Sequence, residues 1–261
     1  MRLSDIEAIR RLSESMEGGD VGWHDREVDV SAVAEEATGH ILDPCAAIDA
    51  MSPTECRVHN HTKGAGRMNI AELCKRSYDT AVSKGWHEQK RSFGEATALF
   101  HSEVSEALEC FRDPSHQPGD TWHSESGKPE GLVIELADLL IRIADTAADM
   151  SLSVAGCLLN TTVDMLGYGS SEFMRYRGHE IASLTDMLSV VHIYLSKAFD
   201  ASLSHGSLEG KMDHMVAHHL ASAMNAVGAI CRIQGWNLEG AVTEKLVHNE
   251  NRACRHGGKR A

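Results

Sequence analysis

Residues 101–109 read HSEVSEALE. Glu103, Glu106 and Glu109 recur every three residues, and Val104, Ala107, Leu108 and Phe111 recur beside them. That spacing is helical, because residues three and four apart share a face of an α-helix. A solvated face explains one such row of carboxylates. Residues 135–145, ELADLLIRIAD, repeat the arrangement. At 100° per residue Glu135, Asp138, Arg142 and Asp145 fall within an arc of about 80°. Leu136, Leu139, Leu140 and Ile143 cover another side. Antiparallel packing of the two helices would gather Glu103, Glu106, Glu135 and Asp138. Four carboxylates at close range repel unless a cation lies among them. Hard divalent ions take such oxygen ligands, and Mg²⁺ combines them with phosphate oxygens. The alternative is two solvated faces that never meet.

Outward from these two stretches the chain reads as helices. The expected helices cover Asn69 to Lys84, Ser92 or Phe93 to Phe111, a start near Pro129 to Asp149, Leu152 to Leu166, Ile181 to Leu203, Met212 to Gln234, and Leu238 to about Arg252. Residues 85–92 and the proline-bearing run 113–131 read as loops, and GYGSS breaks the chain after Leu166. No strand pattern of any length is evident, so the expected fold is all-α. Residues 4–17 suggest an amphipathic helix capped by Ser4. The less periodic remainder of 1–66 reads as an N-terminal extension of unknown role, ending in the linker-like HNHTKGAGR.

The 261 residues suffice for one large domain or two small ones, and apolar content is 42%. A net charge of −13 argues against a nucleic-acid partner. No run of about eighteen apolar residues indicates a membrane span. The N-terminus lacks the apolar core of a signal peptide, and seven scattered cysteines suit a reducing compartment, so the expected location is cytoplasmic. Cys45, Cys56, His59 and His61 have zinc-binding side chains, but their spacing matches no specific zinc module.

Three stretches together resemble the MazG-like family of all-α nucleotide pyrophosphohydrolases. They are ExxE within KGWHEQKRSFGEATALFHSEVSEALECFRD, then KPEGLVIELADLLIRIAD, then the closing KLVHNENRACRHGGKRA. The resemblance covers residues 68–166 and 212–261. It implies Mg²⁺, or Mn²⁺, held by Glu103, Glu106, Glu135 and Asp138, which are then also the catalytic set. It implies nucleotide contacts from Lys245, Asn249, Arg252 and Lys259. His248 stands where the family usually has tyrosine, which puts base preference in doubt. The implied reaction is hydrolysis of a (deoxy)nucleoside triphosphate to monophosphate and pyrophosphate. Arg142 and Asp145 would support the ligands or simply form a salt bridge. Trp86 and Trp236 would stack on a base or, more ordinarily, fill core.

The closing motif is separated from ELAD by an additional segment that reads as a degenerate second copy. HSEVSEALE aligns with HIYLSKAFD (192–200), matching His101, Ser105 and Ala107 to His192, Ser196 and Ala198. ELADLLIRI aligns with HLASAMNAV (219–227). In the second copy Tyr194, Lys197, His219 and Ser222 replace the four acids. Lys245, Asn249 and Arg252 correspond to Thr161, Met165 and Tyr168 in the first. The chain is thus expected to be a pseudo-dimer, with copy one over 67–170 and copy two over 171–261. One composite site would take its acids from copy one and its basic tail from copy two. Alternatively the tail serves a neighbouring chain in a homo-oligomer, or copy two is packing scaffold only. A different class of function also fits: a non-catalytic helical bundle that binds nucleotides or a protein, with residues 1–66 as an adaptor.

Overall fold

The computed structural model describes residues 67–159, 161–167, 175–176, 179–181, 183–203 and 209–254. All of them belong to one compact unit, Gly64–Ala261. The expected helix at 4–17, the Cys45/Cys56/His59/His61 group, Tyr168 and Lys259 lie outside the described residues.

Among the described residues seven helices dominate, in the order α1 (Ile70–Ser83), α2 (Phe93–Arg112), α3 (Leu132–Asp149), α4 (Val154–Cys157), α5 (Leu184–Leu203), α6 (Glu209–Gln234) and α7 (Leu238–Asn251). Local chemistry explains their starts. Asn69 caps α1 by accepting from the Glu72 amide. Ser92 and Glu95 form a reciprocal capping box on α2. Asn237 caps α7 by accepting from the Gly240 amide.

Helix α3 begins at Leu132, not at Pro129. Pro129 instead pairs with His123 in a two-residue hairpin, β1 (Trp122–His123) with β2 (Pro129–Glu130). The chain leaves β2 through Gly131 at φ 125°, where an added Cβ would lie 2.5 Å from the Asp120 carbonyl oxygen. A second short ladder joins β3 (Arg175–Tyr176) to β4 (His179–Glu180). These hairpins correct the expectation of no strands.

The expected helix over Leu152–Leu166 is also absent. The chain makes only α4 and a 3₁₀ turn at Val163–Met165. Ser151 and Leu159 adopt positive φ. The β-branched run Thr161–Val163 is drawn into extended pairing with the segment before α1. The Ile70 amide donates to the Thr161 carbonyl and the Val163 amide to that of Met68, at 3.0 and 2.9 Å. Tertiary hydrogen bonding overrides a weak helical pattern there.

The core runs through α2, α3, α5 and α6, which close a ring of pairwise contacts as a four-helix bundle. Phe100 and Val104 of α2, Leu136, Leu139 and Leu140 of α3, Leu195 of α5 and Leu220 and Val227 of α6 are all fully buried. The α2–α3 and α5–α6 pairs meet along α2 and α5. At that seam His101 and His192 stack, with ring centroids 5.0 Å apart and Nδ1 atoms 2.7 Å apart. Helices α1 and α7 both pack on α3 and touch each other. No helix among the described residues is long and apolar enough to cross a membrane.

Candidate metal and phosphate site

The row of glutamates on α2 divides according to what faces each one. Glu109 is exposed and pairs with Arg112 one turn on, 3.1 Å away, as a solvated face would. Glu103 is 3% exposed and turned toward α3, where Arg142 Nε donates to its Oε1 at 2.6 Å. Cys110, farther along α2, lies beside Gly131 at the start of α3, so the helices run antiparallel. That geometry sets one oxygen each of Glu103, Glu106 and Glu135 within 4.8 Å of one another. Glu106 is exposed, whereas Glu135 is 4% exposed.

This triad fits a hard divalent cation. Oxygens opposed across Mg²⁺ are about 4.2 Å apart. Closing the triad around such an ion therefore needs movements of less than about 1 Å. Glu135 Oε2 is buried with no hydrogen-bond partner, a costly state for a carboxylate oxygen that a cation relieves. Burial pushes the Glu103 carboxyl up to about 7, with Arg142 opposing and the neighbouring acids reinforcing. Burial likewise raises Glu135, reinforced by Asp138 and opposed by Lys245 and Lys128.

Asp138, three residues after Glu135, stands apart from the triad. Lys245 of α7 lies 2.6 Å from its Oδ2 through Nζ and is itself 1% exposed. The contact is an ion pair without hydrogen-bond alignment. Lys128, which follows the β1–β2 turn, places its Nζ 3.9 Å from Glu135 Oε1. Arg142 and Lys245 therefore each sit on one acid, and Lys128 is shared between Glu135 and Glu130, 3.9 Å from each. Neither Lys128 nor the direct Arg142–Glu103 bond was evident from spacing. The basic residue of KPEG beside two acids was the available signal for Lys128.

A cavity of about 330 Å³ opens beside this cluster. Its walls include Glu103, Glu106 and Asp138, the cations Lys84, Arg91, Arg142 and Arg252, and the apolar Trp86, Leu99, Ile141 and Leu246. Asn249 and Arg252 of the closing segment line it; Lys245 and His248 do not. Lys245 lies beneath, on Asp138. His248 is half-buried on the same helix, and burial lowers its pKa, as do Arg252 and Lys245. Helix α7 and Arg252 thus reach α3 of the same chain.

Arg142 touches Glu103 directly, whereas Asp145 is a wall residue held by others. His87 Nε2 lies 2.7 Å from Asp145 Oδ1, and Arg91 Nη1 lies 3.9 Å from Oδ2. Burial raises the Asp145 pKa against the pull of His87. The tryptophans also part company. Trp86 lines the cavity, and Trp236 packs on the core, where Gly119 admits its indole.

No protein-family model, no curated protein and no solved structure matches this chain.

Proposed function

We propose that the chain hydrolyses a nucleoside triphosphate to the monophosphate and pyrophosphate, in the manner of the MazG-like enzymes its motifs resemble. The observation that carries this reading is the cavity that joins metal-fitting carboxylates, four cationic side chains and an apolar wall. A triphosphate needs the first two, and a base needs the third.

Glu103, Glu106 and Glu135 would hold Mg²⁺ or Mn²⁺, with Asp138 beside them. When bound, such an ion offsets phosphate charge and acidifies water. The remaining chemistry belongs to the chain. Arg142, Arg252, Arg91 and Lys84 draw the triphosphate into the cavity and offset the charge that grows as the α–β bridge breaks. Asn249 offers amide donors to the nucleotide. Glu106, the exposed member of the triad, orients the attacking water and accepts its proton on a carboxylate oxygen. The water oxygen bonds to the α-phosphorus, and the bridging oxygen departs with pyrophosphate. Trp86, Leu99 and Leu246 exclude water around the base.

The same reading makes the chain a tandem duplication with one composite site, and two observations support it. His101 and His192, aligned between the copies, touch across the seam. A contact between equivalent positions is what a two-fold axis produces where it passes between them. Asn249 and Arg252 share the cavity with the acids of the first copy.

The test measures pyrophosphate and orthophosphate separately over the common ribo- and deoxyribonucleoside triphosphates with Mg²⁺. Pyrophosphate with monophosphate from the wild type, lost in Glu135→Gln, is the expected result. No turnover of any triphosphate would leave a nucleotide-binding or scaffold bundle.

A further inference from the structure

Four acids cluster at this site, yet their charge is already largely met from within the chain. Arg142 lies 2.6 Å from Glu103, Lys245 lies 2.6 Å from Asp138 and Lys128 lies 3.9 Å from Glu135. Glu130 shares Lys128 at 3.9 Å, and Arg252 faces Asp138 and Arg142, so five acids meet four bases and leave about one negative charge. One divalent cation reverses its sign, and a second would enter against net positive charge in a poorly solvated place. The geometry agrees with the charge. Three carboxylates converge, and Asp138 is not among them. The group on Asp138 is no loose surface lysine: Lys245 is 1% exposed, and its Nζ is buried without an aligned hydrogen bond. A buried ammonium is expensive to keep, and Asp138 is the partner that holds it.

Building on the metal-dependent reading above, we infer that the site takes one divalent cation, at Glu103, Glu106 and Glu135, and that the Lys245 ammonium clamped to Asp138 takes the place of a second. Lys245 is then a positioning residue. It holds Asp138 out of the triad and supplies a fixed positive charge that never exchanges with solvent ions. The arrangement also gives α7 a role that does not require direct contact between Lys245 and the nucleotide.

The experiment counts Mn²⁺ bound to the full chain by electron paramagnetic resonance, without nucleotide. Wild type is expected to bind one ion, and Lys245→Met two, because Asp138 is then released toward Glu135. The double variant Asp138→Asn/Lys245→Met removes both charges together, which protects folding. It is expected still to bind one ion, at an affinity no more than about 100-fold below wild type, the upper end of what altering an outlying partner of a metal ligand costs. Two ions in wild type, one in Lys245→Met with a native circular-dichroism spectrum, or loss of the ion in the double variant would each overturn the inference. The triphosphate assay fails separately: one bound Mn²⁺ without pyrophosphate release sinks the hydrolase reading and leaves this one standing.

Discussion

The α2–α3 pair and the α5–α6 pair share a packing scheme but carry opposite polar faces. Each buries an aliphatic stripe in the common bundle, and the two touch through His101 and His192. On α2–α3 the polar positions hold Glu103, Glu106, Glu135 and Asp138. At the aligned positions of α5–α6 stand Tyr194, Lys197, His219 and Ser222. Lys197 lies 5.7 Å from the Tyr194 ring centroid, and Ser222 turns its hydroxyl back to the His218 carbonyl. The difference follows from what covers each face. Helices α1 and α7 and the β1–β2 hairpin close over α3 and bring Lys128 and Lys245 with them. Acids can be buried where bases arrive to meet them, and elsewhere the same helical frame does better with neutral or cationic groups.

The largest effect expected from breaking this asymmetry is on turnover. Glu135→Gln should lower pyrophosphate release by roughly 100- to 1,000-fold, the scale of losing one preorganised electrostatic group. The aligned change on the other pair, His219→Gln, should leave the rate within about twofold, because this half-buried residue faces His218, Lys197 and Asp200 and is not among the cavity walls. Equal losses in steady-state assays would erase the proposed division of labour between the pairs.

Stability should respond alike on both sides. Leu140 of α3 and Leu195 of α5 are both fully buried. Alanine at either should cost about 2–5 kcal/mol in urea unfolding. A single transition shifted by both variants would show one cooperative bundle. Two transitions, each answering to one variant, would show two independent pairs.

The acids also make the metal-free protein sensitive to pH. The folded Glu103 carboxyl is raised from 4.5 to about 7. The native chain thus holds this proton more tightly than the unfolded chain does. Stability falls as pH rises from 4.5 through 7, by at most about 3 kcal/mol. Melting temperature in a chelator should follow that slope, and Glu103→Gln should flatten it. Mg²⁺ should reverse it, because a cation binds the deprotonated carboxylates.

A smaller effect of opposite sign belongs to the seam. Burial lowers the pKa of His101 and of His192 below 6.5, and for His192 the charge on His101 adds to the shift. Native histidines with depressed pKa resist protonation, so stability falls as pH drops below 6.5. His192→Gln should lessen that acid loss without touching the Glu103 slope. An unchanged acid limb would mean that the seam histidines are indifferent to charge.

Much of this was legible along the chain. The helical period of 101–111 and 135–145, the Ser92–Glu95 cap and the acids bordering each stripe are local patterns, and the structure keeps them. Glu109 shows the limit. It has the same spacing as Glu103 and Glu106 but lies on the solvent side of α2, because helical drift carries it off the α3-facing arc. The failed helix at Leu152–Leu166 has a similar cause. Its outcome depended on the segment before α1 offering hydrogen bonds to Thr161 and Val163.

The sequence by itself determined that the chain is helical, which face of each helix is apolar, and that α2 and α3 carry acids at its border. These follow from short-range sterics and a 3.6-residue period. Only the tertiary structure decided which acids converge, that Arg142 takes Glu103, and that a lysine on the last helix takes Asp138 from its neighbours. Those choices are Coulombic and concern groups far apart in the chain. They exist only once folding has removed the water that would otherwise screen them.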